Sequence, residues 1–154
     1  MIVGLHHVAI SVPDMKKALA FYCGALGFEE VMSASVDGDS EIYDRIIGLR
    51  KISTEMRMVK AGNAYIELFE YRHPAPRSKD GAYPPSDHGI AHFCLQVKDI
   101  KSECARLTAA GMTFVGPPVD EHTWAAIYGR DPFGNIIEIY EVRDPAIPHV
   151  GSVA

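Results

Sequence analysis

The chain has 154 residues, 47% of them hydrophobic, and a formal charge of −5 from interspersed acidic and basic side chains. That composition supplies one sizeable core and no basic stripe, so a small-molecule substrate is the expected partner, with no nucleic acid and no membrane. The opening MIVGLHHVAISVPD has no positive leading region or small-residue cleavage site, and Cys23, Cys94 and Cys104 follow no metal-finger or disulfide spacing; the expectation is a cytoplasmic protein whose cysteines are small core hydrophobes.

From His7 to Val12 the residues alternate between apolar and small or polar, the period of a half-buried strand. The period changes at Asp14, placed as a helix N-cap, after which Met15, Leu19, Tyr22 and Leu26 recur at helical spacing and predict one buried face. Gly27 stands where a left-handed C-cap ends such a helix, and Phe28 to Val31 restart an extended pattern. Asp37 to Lys51 carries Ile42, Ile46, Ile47 and Leu49 without a clean period and reads as an irregular flap or a short helix. Glu55 to Lys60 is extended, and GNAYIELFE from Gly62 is an alternating strand. His73 to Asp87 then holds four prolines and reads as a linker.

Beyond the linker the chain starts again. GIAHFCLQVKDIK from Gly89 lies over GLHHVAISVPDMK from Gly4, so that Gly4, His7, Val12, Asp14 and Lys16 meet Gly89, His92, Val97, Asp99 and Lys101. Asp99 takes the N-cap place, Ile100, Cys104 and Leu107 the buried helical face, Gly111 the C-cap, and Met112 to Val115 the next extended stretch. Thr123 to Arg130 is extended, Asp131-Pro132-Phe133-Gly134 is a type I turn, and GNIIEIYE repeats the Gly-Asn start and the Glu-x-x-Glu of the first copy. The expected fold is α+β: two tandem βαβββ modules, about residues 3–72 and 88–142, joined by 73–87 and followed by a tail, 143–154. The modules form a single domain over 1–154 with the helices outside curved sheets and a cleft between. Exposed sheet edges and a half-open cleft point to a homodimer.

Strand alternation sorts the special side chains by face. His7 lies with Ala9 and Ser11, His92 with Cys94 and Gln96, Glu67 with Tyr65, Phe69 and Tyr71, and Glu138 with Ile136 and Tyr140, all opposite the helix side. His6 falls on the other face and stays outside the set. A carboxylate in the middle of an apolar strand is costly unless paired or bound to a cation. Each couple can be a cross-strand ion pair, but two such couples, one per copy, favour a single divalent metal (Zn, Ni, Co, Mn or Fe(II)) held by two imidazoles and two carboxylates.

LHHVAISVPDMKKALAFYCGALGF, YIELFEY, GIAHFCLQVKDI and DPFGNIIEIYE together resemble the vicinal oxygen chelate superfamily, which includes glyoxalase I, methylmalonyl-CoA epimerase, extradiol dioxygenases and the fosfomycin and bleomycin resistance proteins. The resemblance implies His7, Glu67, His92 and Glu138 as ligands of one divalent metal and Glu138 and Glu67 as the carboxylates that move a proton at the carbon beside a chelated carbonyl. It implies a metal-dependent lyase or isomerase of the epimerase kind. An Fe(II) extradiol-type dioxygenase, with His122 and Tyr128 as added acid–base groups, and a non-catalytic small-molecule binding protein of the resistance type are the alternatives. Ser11 and Tyr71 occupy places where glyoxalase I has an arginine and an asparagine, so a glutathione adduct is not the expected substrate. Ser11, Tyr65, Phe69, Gln96 and Tyr140 share the ligand face and are expected to line the substrate pocket.

Overall fold

The computed structural model describes residues 1–78 and 80–151, and the chain divides into two units, Met1–Ser78 and Lys79–Ala154. The first contains β1 (His7–Ser11), α1 (Met15–Leu19), β2 (Glu29–Asp37), α2 (Glu41–Ile47), β3 (Ser53–Ala61) and β4 (Ala64–His73). Its sheet runs β1-β4-β3-β2, with β1 parallel to β4 and the other neighbours antiparallel.

Asp14 caps α1 as expected, its carboxylate accepting from Lys17 N at 2.8 Å. The buried helical face differs from the expected one. Met15, Ala18, Phe21 and Tyr22 are buried, whereas Leu19 and Leu26 are only half-buried. The reason is that α1 continues as a π-helical turn, Ala20–Ala25, closed by Leu26 N donating to Phe21 O at 2.9 Å. The extra residue in that turn shifts the helical phase and brings Phe21 and Tyr22 inward together. Gly27 then has φ 75°, the left-handed conformation its place requires.

The segment from Asp37 to Lys51 resolves into α2. Ser40 caps its start, and Gly48 at φ 75° ends it, donating to Asp44 O at 2.9 Å. The Asp44 carboxylate accepts from Lys51 N at 2.7 Å and Ile52 N at 3.0 Å, tying the helix to the start of β3, and those two bonds hold its pKa below the ordinary value.

The second unit contains β5 (Phe93–Gln96), α3 (Ile100–Ala109), β6 (Thr113–Phe114), β7 (Val119–Asp120), β8 (Trp124–Arg130) and β9 (Ile136–Val142). Its sheet runs β5-β9-β8-β6, with β7 also on β8 and β5 parallel to β9. In α3 the buried residues are Ile100, Cys104 and Leu107, as their spacing predicts, and Asp99 caps the helix. Asp131 closes the expected turn, its backbone C=O accepting from Gly134 N at 3.1 Å and its side chain from Phe133 N and Asn135 N.

Two features were not legible in the repeat. Where the first unit has the nine-residue β2, the second has the two short strands β6 and β7. Gly116-Pro117-Pro118 separates them, and a proline has no N–H with which to continue the ladder. The later part of the proline-rich segment, moreover, belongs to the second unit. Tyr83 is buried there, its carbonyl accepting from Arg130 Nη2, its ring under the Arg130 guanidinium and its hydroxyl accepting from Ile136 N at 3.4 Å. A Cβ on Gly134 would come within 2.8 Å of Gly81 Cα, so only glycine admits this close approach. In each unit the core lies between the helix and the apolar face of the sheet, with Ile10, Ile66 and Leu68 in the first and Ile137 and Ile139 in the second. Among the described residues no helix is long and apolar enough to cross a membrane.

Candidate functional site

His7 is the first residue of β1 and Glu67 lies in the middle of β4. The parallel register sets His7 against Tyr65 and Ala9 against Glu67, so the carboxylate stands two residues along from the partner of the histidine and on the same face. His7 Nε2 and Glu67 Oε2 are 3.3 Å apart. The second unit repeats the relation. His92 immediately precedes β5, Cys94 is in register with Glu138 on β9, and His92 Nε2 lies 3.2 Å from Glu138 Oε2. Both pairs are partly exposed, with side-chain exposures of 36% and 16% for His7 and Glu67 and 29% and 22% for His92 and Glu138, so a ligand can reach each pair. Among the described residues, no three His, Cys, Asp or Glu side chains gather as a metal cluster; each unit contributes one His–Glu pair.

The surroundings of the two carboxylates differ. Across the antiparallel pairs Glu67 faces Met58 on β3, whereas Glu138 faces Tyr128 on β8. The Tyr128 ring also packs 4.7 Å from that of His92. Burial, then the charges of Glu138 and Cys94, push the Tyr128 hydroxyl above its ordinary pKa. Cys94 is exposed as a residue, yet partial desolvation of its thiol, followed by the neighbouring Glu138 carboxylate, pushes its pKa up to about 12. A shift in that direction favours the protonated thiol, a poor nucleophile, beside Glu138. The expectation of three core cysteines is met only at Cys104, since Cys23 is half-buried and Cys94, on the strand face opposite the helix, is exposed. In the first unit burial and the Glu67 charge likewise raise the pKa of Tyr71.

The expected pocket residues fall on these faces. Tyr65 stacks on His6, Phe69 stacks on Tyr71 with centroids 5.4 Å apart, and Ser11 is exposed in register with Phe69. Gln96 Oε1 accepts from Val150 N at 2.6 Å, and Tyr140 lies beside Trp124. His122 is exposed ahead of β8, whereas Tyr128 touches the histidine.

Strand parity misplaced His6. Its Nδ1 lies 2.8 Å from His7 Nδ1, and its ring stacks on Tyr65, on the ligand side. Parity does not govern it because β1 begins one residue later, at His7. The signal available in the sequence was the His-His doublet, which the second copy replaces by Ala91-His92. His92 Nδ1, in turn, is buried with no hydrogen-bond partner among the described residues.

An imidazole nitrogen and a carboxylate oxygen presented together on an open strand face form either an ion pair or two ligands for a borderline-to-hard divalent cation. The chain is 29% identical to a 2-epi-5-epi-valiolone epimerase of an Actinomyces species, over 89% of this chain and 78% of the relative. It is also 29% identical to an ethylmalonyl-CoA/methylmalonyl-CoA epimerase of Cereibacter sphaeroides, over 92% of this chain and all of the relative. The crystal structure of a glyoxalase family protein from Bacillus cereus superposes with a TM-score of 0.84 at 26% identity, covering 94% of this chain and 97% of that one. The sequence profile of the Glyoxalase/Bleomycin resistance protein/Dioxygenase superfamily matches residues 4–139, a stretch that holds all four His and Glu positions, and the chain belongs to that superfamily.

Proposed function

We propose that the protein is a metal-dependent lyase or isomerase of the epimerase kind, acting on a small carbonyl substrate, with His7, Glu67, His92 and Glu138 holding one divalent ion. The observation that carries the reading is that the same His–Glu relation, at 3.3 Å and 3.2 Å, is built twice on equivalent strands. Together the two couples supply four donors of the kinds that a shared divalent cation takes. The donor set fits: two imidazole nitrogens and two carboxylates suit Zn, Ni, Co, Mn or Fe(II), and members of the superfamily commonly bind a divalent metal. Two relatives named as epimerases support the class of reaction.

The bound ion supplies Lewis-acid polarisation of the substrate carbonyl, acidifying the adjacent carbon. His7 and His92 serve as fixed ligands. Glu138 is the favoured base for that proton and Glu67 its partner. Ser11, Tyr65, Phe69, Gln96 and Tyr140 orient the substrate and exclude water from it. We further propose that it is a cytoplasmic homodimer.

The test is exchange of a substrate α-proton in deuterated water under anaerobic conditions, with 2-oxo, cyclitol-ketone and acyl-CoA substrates. Exchange without oxygen is the expected result. Turnover only with oxygen, with labelled oxygen in the product, would replace this reading by an Fe(II) dioxygenase, the alternative that the contact of Tyr128 with His92 favours.

A further inference from the structure

We propose that His6 is a positioning residue for His7, accepting the hydrogen bond of its Nδ1–H and so leaving Nε2 bare for the metal. This rests on the metal reading above. A neutral imidazole carries one ring hydrogen, and a histidine that binds metal through Nε2 must carry it on Nδ1. Ligand histidines are ordinarily oriented by an acceptor for that second N–H. For His7 the group in that place is His6 Nδ1, at 2.8 Å. Two ring nitrogens share a hydrogen only when one is bare, so with His7 Nδ1 as donor, His6 keeps its own hydrogen on Nε2.

The rest of the contact is built to hold this arrangement. The His6 ring lies edge-on to His7, with centroids 5.1 Å apart at 85°, and stacks on Tyr65 at 5.2 Å and 25°. Tyr65 is the β4 residue in register with His7, so ligand and positioning residue are both referred to one strand. The second unit lacks the device. Ala91 stands where His6 would, and His92 Nδ1 has no partner among the described residues. Its ring is instead packed against Tyr128. The two ligand histidines are therefore oriented by different means, one by a hydrogen bond and one by ring packing.

The test uses the full chain, stripped with a chelator and titrated with Zn(II) by calorimetry, as wild type, His6→Ala and His6→Asn. His6→Ala should weaken Zn(II) binding ten- to a hundredfold, on the order of the effect of losing an outer-shell partner, and His6→Asn, whose amide oxygen can accept the same hydrogen, should recover most of it. In the Zn(II)-loaded wild type, nitrogen-15 spectra should show His7 protonated at Nδ1 and His6 protonated at Nε2 alone. Equal affinity of wild type and His6→Ala, or a hydrogen on His6 Nδ1 in the loaded protein, would overturn the role of His6 and leave the metal reading standing. Failure of the wild type to bind Zn(II) would remove both.

Discussion

Glu67 and Glu70, three residues apart on β4, send their carboxylates to opposite faces of one sheet. Glu67 meets His7 Nε2 at 3.3 Å, and Glu70 accepts from Met15 N, the first amide of α1, at 2.6 Å. Glu138 and Glu141 on β9 divide in the same way, Glu138 to His92 at 3.2 Å and Glu141 to Ile100 N of α3 at 3.1 Å. The repeated Glu-x-x-Glu thus joins a histidine partner to a helix cap, because an odd spacing along a strand reverses the face. The second carboxylate satisfies an orphan amide at the positive end of the helix.

This division separates stability from metal binding. Glu70→Ala should lower the free energy of unfolding by about 1 kcal/mol, the usual cost of losing a capping acceptor, and leave Zn(II) affinity unchanged. Glu67→Ala should do the reverse. Denaturant melts of the metal-free variants and calorimetric titrations read the two effects, and loss of metal binding in Glu70→Ala would refute the division.

Metal should stabilise the folded chain, because a ligand bound only to the native state adds to its stability. Chelation is expected to lower Tm, and restoring Zn(II) to raise it again. His92→Ala should abolish stoichiometric binding and with it the chelator-dependent shift. A shift of wild-type size in His92→Ala would show that the ion sits elsewhere.

Glu138→Gln should lose α-proton exchange by several orders of magnitude while keeping most of its substrate affinity. The amide preserves shape but cannot take the proton, and ground-state binding does not depend on that transfer. Single-turnover exchange with a separate Kd measurement distinguishes the two. Loss of affinity with exchange retained would assign Glu138 to substrate binding and give the base role to Glu67.

Acid should unfold the protein partly through the β7–β9 corner. Arg143 bonds to Asp120 at 2.6 Å and Glu141 at 3.2 Å, and these contacts hold both carboxylates below their ordinary values of 3.8 and 4.5. Depressed folded-state values make the contribution complete above the unfolded pKa values and lost as pH falls through the folded ones. Arg143→Ala should therefore flatten the fall of Tm with pH below about pH 4.5, by a small amount because the pairs are solvent-screened. A wild-type acid slope in the variant would exclude this source.

A homodimer is the expected state in solution. Met1, Ile2, Val3 and Leu5 before β1, and separately Ile90 before β5, are exposed apolar side chains, and a run of exposed apolar residues ordinarily meets a partner. Light scattering at micromolar concentration should give twice the chain mass, and Leu5→Glu should reduce it. A monomeric wild type would contradict the assignment.

The repeat, the strand faces, both aspartate caps and the two His–Glu couples were readable in the one-dimensional pattern, because period and parity are local properties: residues two apart share a strand face, and residues three or four apart share a helical one. Tertiary structure decided what those periods do not encode. The π-helical turn displaced Leu19 and Leu26 from the buried face, and the adjoining prolines split the edge strand of the second unit. Tyr83, inside a proline-rich segment, gained its place from Arg130 and Ile136, residues distant in sequence. His6 was misplaced by parity for a similar reason: it lies just outside the strand, and the neighbours that fix its ring, His7 Nδ1 and the face of Tyr65, come together only when β1 pairs with β4.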